Sequence, residues 1–323
     1  MLDRYGRAID YLRVSVTERC NLHCRYCRPQ RQATSSPGAP LPFTDLLRIC
    51  RVAAGLGITR FKVTGGEPLA RAGCVDFIAR LKKLPGVEQV TLTTNGLLLD
   101  NVLADLCDAG LDGVNLSLDT LDDTRYRALT GYGGAAVEKL QSVLRRCAAA
   151  GLRVKVNTVL LPENLAETPQ IAALAAQMPV DVRFIELMPI GAGAGMQRVL
   201  GADAMALLQR VWPDLHPTAE KRGNGPAHYY ASRALLGRIG LIDAVSHAFC
   251  AECNRLRLTS AGLLKPCLCY DTAVDLRALL LRGAGDEALA SALRGAILSK
   301  PRAHCFAEQG GVTEHRWMSQ IGG

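Results

Sequence analysis

The sequence predicts an α/β protein in which six strand–helix units form a full or partial TIM-like (βα)6 barrel, followed by a C-terminal region of different character. Three observations carry that expectation. Strand-like and helix-like runs alternate over the first two thirds of the chain, and parallel strands need such crossover helices. Polar residues in those units gather at the carboxyl ends of the strands, the face on which β/α barrels build their sites. Beyond residue 220 the alternation stops and a second group of cysteines appears. The division expected is 1–220 for the barrel and 221–323 for a region that closes its mouth.

Residues 11–16 alternate as a strand does and feed a loop holding Cys20, Cys24 and Cys27. Residues 30–42, rich in Pro, Gly, Ser and Ala, predict a flexible connection. Thr44 then offers an N-cap to a helix over 45–56, where Leu46, Leu47, Ile49, Cys50, Val52 and Ala53 recur at helical spacing and Gly55 and Gly57 suit the end. Further strands are expected at 60–63, 87–93, 113–118, 152–159 and 180–187. Helices at 75–84, 101–109, 136–150 and 169–176 separate them. In the last third, 255–267 reads as a hairpin turning at 260–262.

Strand ends deliver the polar groups. Gly65, Gly66 and Glu67 follow the second strand; Thr93, Thr94 and Asn95 end the third; Ser117 and Asp119 end the fourth. Lys155 and Asn157 lie on the fifth, and Glu186 and Met188 close the sixth. Any one of these could merely border a polar loop, but six strands together argue for a shared cavity. In Gly65-Gly66-Glu67-Pro68 the glycines permit close backbone approach, and Glu67 offers a carboxylate to a ligand amine.

Composition bounds the function. With 49% hydrophobic and 21% charged residues, the 323-residue chain is globular and long enough for a large core. Neither an apolar run able to cross a bilayer nor a signal-peptide core is present, so a cytoplasmic protein without a membrane partner is expected. Twelve cysteines in such a protein read as metal ligands and buried thiols, not disulfides. A net charge of +8 points to an anionic partner without choosing among nucleotide phosphate, nucleic acid and acidic protein.

Two thiol groups stand apart from the rest. Cys20-x3-Cys24-x2-Cys27 has no fourth cysteine nearby, which suits an iron–sulfur cluster with one iron left open; zinc completed by His23 or a distant residue is the alternative. Cys250-x2-Cys253 with Cys267 is again a trio, for which Cys269 or His247 offers a fourth ligand. Cys50, Cys74, Cys107, Cys147 and Cys305 lie in apolar or helical contexts and read as buried small hydrophobes.

The first trio, with Tyr26 before its last thiol, together with Gly65-Gly66-Glu67-Pro68, resembles the radical S-adenosylmethionine superfamily. Cys250-x2-Cys253-Asn254-Arg255-Leu256-Arg257 followed by Cys267, the upstream Gly225-Pro226-Ala227-x-Tyr229-Tyr230 and the terminal Met318-Ser319-Gln320-Ile321-Gly322-Gly323 are similar to the GTP 3′,8-cyclase family of molybdenum cofactor biosynthesis. The similarity runs from Tyr11 to the last residue.

That resemblance implies two [4Fe–4S] clusters. The first would be held by Cys20, Cys24 and Cys27, its open iron chelating the methionyl amine and carboxylate of S-adenosyl-L-methionine. Tyr26, Gly66, Ser117 and Met188 match cosubstrate positions, and Gly65 and Glu67 belong to the same motif. The second, on Cys250, Cys253 and Cys267, would face the guanine of GTP. Substrate contacts are expected from Arg13, Lys62, Thr93, Lys155, Arg183, Arg255, Leu256 and Arg257. Arg13, Arg255, Arg257 and the Gly322–Gly323 tail would serve catalysis. The implied reaction removes hydrogen from C3′ of GTP with a 5′-deoxyadenosyl radical and closes a bond from C3′ to C8, giving 3′,8-cyclo-7,8-dihydro-GTP.

Arg60 and Lys62 stand in the opposite order to the family pattern, and a lysine cannot make the forked phosphate contact of an arginine. The segment 192–196 is small and apolar. An electron donor, hand-over of product to the next enzyme and a homodimer are the further partners considered, with no nucleic acid expected. Two rivals remain at this point: a peptide-modifying radical enzyme with an auxiliary cluster, and a zinc-stapled basic nucleic-acid-binding protein.

Overall fold

The computed structural model describes residues 1–28, 39–306, 308 and 310–322. Most of the connection expected at 30–42, and Gly323, lie outside the described residues.

Six parallel strands form the centre: β1 (Tyr11–Ser15), β2 (Arg60–Thr64), β3 (Gln89–Thr94), β4 (Gly113–Ser117), β5 (Arg153–Leu160) and β6 (Asp181–Glu186). Each lies within a residue or two of its predicted position. The sheet continues with β7 (His216–Thr218), β8 (His228–Ala231), β9 (Ile239–Ile242), β10 (Arg255–Leu258), β11 (Leu263–Lys265) and β12 (Val274–Asp275). Its order is β12-β11-β10-β1-β2-β3-β4-β5-β6-β9-β8-β7. Both β10 and β9 pair in parallel with the strands they flank, so the parallel run extends to eight strands. β12 and β7 remain edges, which makes the barrel partial.

Between the strands run α1 (Phe43–Gly55), α2 (Cys74–Lys82), α3 (Leu103–Asp108), α4 (Asp123–Thr130), α5 (Val137–Ala149), α6 (Thr168–Ala172), α7 (Leu174–Gln177) and α8 (Gly201–Val211). The C-terminal third adds α9 (Leu276–Leu281), α10 (Asp286–Leu298) and α11 (Met318–Ile321). Thr44 is not a cap: Pro42 occupies the N-cap of α1 in an extended conformation and makes no side-chain capping bond, which leaves Thr44 inside the first turn. The helix expected at 169–176 is divided at Ala173 into α6 and α7. α4 was not expected, although Asp122 caps its start by accepting from the Arg125 amide at 2.6 Å and Gly131 ends it at φ 71°.

Alternation along the strands explains the architecture. Leu12, Val14, Phe61, Val63, Val90, Leu92, Val114, Leu116, Val156, Val182 and Phe184 are buried in one core with the helix faces of Leu46, Ile49, Phe77, Leu81 and Leu140. Strands buried on both faces by apolar contacts would read as continuous hydrophobic runs; these alternate because their other face borders a polar cavity. The core also takes in Leu256, Leu264, Leu289 and Leu293, and the sheet runs from β7 to β8 across the division expected at 220/221. Among the described residues no helix is long and apolar enough to cross a membrane.

Candidate active site

A cavity of about 300 Å³ opens on the polar face of the sheet. Cys20, Cys24 and Cys27 line one part of it, together with Tyr26, Gly65, Gly66, Ser117 and Met188. The thiol loop is pinned to the loop after β2: the Gly66 amide donates to the Thr17 carbonyl at 2.8 Å and the Glu67 amide to that of Arg19 at 2.8 Å. A Cβ on Gly65 would lie 2.5 Å from the Thr17 carbonyl oxygen, and one on Gly66 would run into the carbonyls of Glu18 and Arg19. The close approach that these glycines allow is therefore to the thiol loop itself.

Glu67 departs from expectation. Its carboxylate is fully buried and accepts from the amides of Leu69 (3.0 Å) and Asn95 (2.8 Å) and the hydroxyl of Thr94 (2.9 Å), so it positions two loops instead of facing a ligand amine. The Asn95 amide in turn donates to Asn21 Oδ1 at 2.7 Å, beside Cys20. Tyr26 donates its hydroxyl to Asp119 Oδ2 at 2.7 Å. Burial raises the Asp119 carboxyl to about 6 against the lowering effect of that bond.

The cations gather on neighbouring strands. Register sets Arg13 between Lys62 and Arg257, and Asn157 beside Arg183. Arg13, Lys62, Lys155, Arg183, Arg255 and Arg257 all line the cavity, as does Thr93. Arg183 donates to Asn157 Oδ1 from Nε (2.9 Å) and Nη2 (2.6 Å), and Lys155 donates to the Tyr229 hydroxyl at 2.9 Å. Burial, and then repulsion from Arg183, Arg13, Lys155 and Arg255, pushes Lys62 well below its ordinary value. Lys155 falls to about 7, through burial and Arg183 against the pull of Asp181, which lies 3.7 Å away. A wall of cations that depress one another is poised to be stabilised by a polyanion. Of the exchanged pair, Lys62 faces the cavity, whereas Arg60 pairs with Asp10 at 2.5 Å and is not part of the lining.

Leu256 is a second departure. Its side chain is fully buried in the core, because alternation along β10 turns Arg255 and Arg257 to the cavity and the residue between them away. At the C-terminus, Arg257 Nη1 donates to the Gly322 carbonyl at 3.0 Å. Gly322 has φ 74°, and a Cβ there would stand 3.0 Å from Ser15 Cβ. Of the segment 192–196, the first four residues belong to a short 3₁₀ turn (Gly191–Gly195) and Met196 is extended.

The second trio is half-buried in the turn before β10 and just after β11. Its thiols are not among the lining side chains, but Phe249, Arg255 and Arg257 are, and the Arg255 guanidinium lies 5.0 Å from the Phe249 ring centroid. The Cys269 sulfur lies 2.8 Å from that of Cys305, both buried beside Ile190 and Leu268 in a cluster against which Cys267 also packs. His247 faces Ser246 Oγ at 3.2 Å.

The donor sets fit polynuclear clusters better than single ions. Burial, followed by the charges of its neighbours, raises Cys24 well above its ordinary value, and Cys27 to about 12. Three such thiols bind as thiolates only if a cationic core offsets their burial. Within each trio the thiols lie near enough to act on one another electrostatically.

Sequence reasoning set Asn95, Asp119 and Asn157 at the shared cavity without individual roles and named Tyr229 only within a motif; it did not single out Arg222 or Phe249. Strand periodicity carried the signal for Asn157, two residues beyond Lys155 and on the same face.

An eight-strand parallel sheet bearing three thiols in its first strand–helix loop belongs to the radical S-adenosylmethionine class, and a model of the Radical SAM superfamily matches residues 14–175. A second family model, Molybdenum Cofactor Synthesis C, matches residues 180–306. The GTP 3′,8-cyclase of Heliobacterium modesticaldum is 44% identical over 337 residues, covering 100% of both chains. That of Clostridium perfringens (strain 13 / Type A) is 38% identical over 325 residues with the same coverage. Streptococcus suis SuiB, solved bound to S-adenosylmethionine, shares the fold with a TM-score of 0.65 at 16% identity, over 96% of this chain and 76% of that one. The chain belongs to the GTP 3′,8-cyclase family.

Proposed function

We propose that the protein converts GTP to 3′,8-cyclo-7,8-dihydro-GTP, the first step of molybdenum cofactor biosynthesis, in the cytoplasm. The observation that supports this reading is a cavity lined by the first thiol trio and by eight cations, two of which, Arg255 and Arg257, lie on the strand that follows Cys253. Cys20, Cys24 and Cys27 would hold one [4Fe–4S] cluster and Cys250, Cys253 and Cys267 the other. When bound, the first cluster and S-adenosyl-L-methionine supply a one-electron reductive cleavage and, from it, a carbon radical able to take hydrogen from C3′.

The chain's own groups do the rest. Gly65, Gly66, Ser117 and Met188 shape the cosubstrate end, and Tyr26, anchored on Asp119, closes it. Lys62, Lys155 and Arg183 receive the triphosphate, and Thr93 contacts the nucleotide. Arg13, Arg255 and Arg257 hold the reacting nucleoside near the second trio, with Arg257 also fixing the tail. An external one-electron donor is required, the product passes to the next enzyme, and a homodimer is the assembly we favour.

Anaerobically reconstituted protein given S-adenosyl-L-methionine, a reductant and GTP is expected to yield 5′-deoxyadenosine and the cyclised nucleotide together. 5′-Deoxyadenosine without cyclised GTP would remove the cyclase assignment and point to the peptide-modifying alternative. Colourless protein holding zinc and no iron would remove both.

A further inference from the structure

Lys300 follows α10 and is buried, with 4% of its surface exposed. Its ammonium donates to the Arg255 carbonyl at 2.8 Å and the Pro266 carbonyl at 2.6 Å, near enough to Cys253 and Cys267 for its charge to act on both thiols. The two carbonyls lie on the two segments that carry Cys253 and Cys267. The charged groups acting most strongly on it are those two thiols and the Arg255 guanidinium, with no carboxylate among them. A buried cation normally finds a carboxylate; here the counter-charge has to come from sulfur.

We infer that Lys300 is a positioning residue for the second cluster, tying together the two segments that bear Cys253 and Cys267 and supplying a positive charge that makes that cluster easier to reduce. The inference rests on the reading that Cys250, Cys253 and Cys267 hold a cluster. An added electron increases the negative charge on a thiolate-bound cluster, and an ammonium at one sulfur lowers the energy of that state. At the first trio the Arg28 charge acts on Cys20 and Cys27, and no buried lysine ties that trio's segments together among the described residues.

The test is a redox titration of anaerobically reconstituted holoenzyme followed by electron paramagnetic resonance, with iron counted on the same samples. About eight irons per chain and two reduction steps are expected of the unaltered protein. In Lys300→Gln, whose amide can still donate to both carbonyls, one step moves at least about tenfold in its reduction equilibrium toward the oxidised form, about 59 mV for one electron, while the other stays in place. Lys300→Arg restores it. Two unmoved steps with about eight irons retained would overturn the inference. Should Lys300→Gln release a cluster, Lys300→Arg decides: a full iron complement with an unmoved potential supports the charge role, and loss there too overturns it. About four irons in the unaltered protein would instead overturn the two-cluster reading itself.

Discussion

Lys155 shows how a single side chain can report on the substrate. Burial and Arg183 lower it from 10.5 to about 7, so without ligand its charged form is disfavoured by folding. The sign follows: the penalty is complete below about pH 7 and fades as pH rises toward its unfolded value, so the free protein's stability rises with pH across that window. A bound triphosphate reverses the preference. Near pH 8, then, GTP binding should draw in protons, and affinity should fall as pH rises above about 7. Calorimetry in two buffers of different ionisation heat measures the uptake, which Lys155→Met should reduce; equal uptake by both proteins would place the phosphates elsewhere. Residue type and spacing made the cations legible in the sequence, because each sits at a strand position of the same parity. Orientation was legible only where that parity was applied: it turns Leu256 into the core. Glu67 gave no such signal, since its partners Leu69, Thr94 and Asn95 come from two separate loops.

Among the elements, α11 and the tail join the C-terminus to the cavity. Met318 lines it, Ile321 is buried with Ile190 and Phe306, and the Gly322 carbonyl rests on Arg257. Gly322→Ala would place a side chain at φ 74° and against Ser15, costing about 1–2 kcal/mol for the left-handed backbone and lowering the docked fraction of the tail roughly 5–30-fold. Cyclised product should fall accordingly while iron content and 5′-deoxyadenosine formation persist, and removal of both terminal glycines should be more severe. Unchanged product formation by either variant would leave the tail without a role. The six central strands were readable because long crossover helices frame them. β7 to β9 were not: each is only three or four residues long, and long-range pairing rather than local periodicity recruits it. α10 was readable and missed, for Leu289, Leu293, Ala296 and Ile297 recur at helical spacing.

At the scale of the molecule, the C-terminal third does more than cover the barrel mouth. β10 pairs with β1 in parallel and sets Arg257 beside Arg13, so the strand that follows Cys253 adjoins the strand that leads to Cys20. Sequence separation hid this adjacency, since nothing local in 255–258 announces a parallel partner more than two hundred residues earlier. The arrangement divides the labour between the trios, and single substitutions should separate the halves. Cys24→Ala removes a ligand at the cosubstrate end, so both 5′-deoxyadenosine and cyclised GTP should disappear. Cys267→Ala leaves that end and Cys20, Cys24 and Cys27 intact, so some 5′-deoxyadenosine should still form, uncoupled from GTP conversion. Each variant should keep about four of about eight irons. Chromatography of the two products beside an iron assay reads all of this in one experiment. Cyclisation surviving in Cys267→Ala would mean that the cations, Arg255 and Arg257 of β10 among them, orient the guanine without the second cluster.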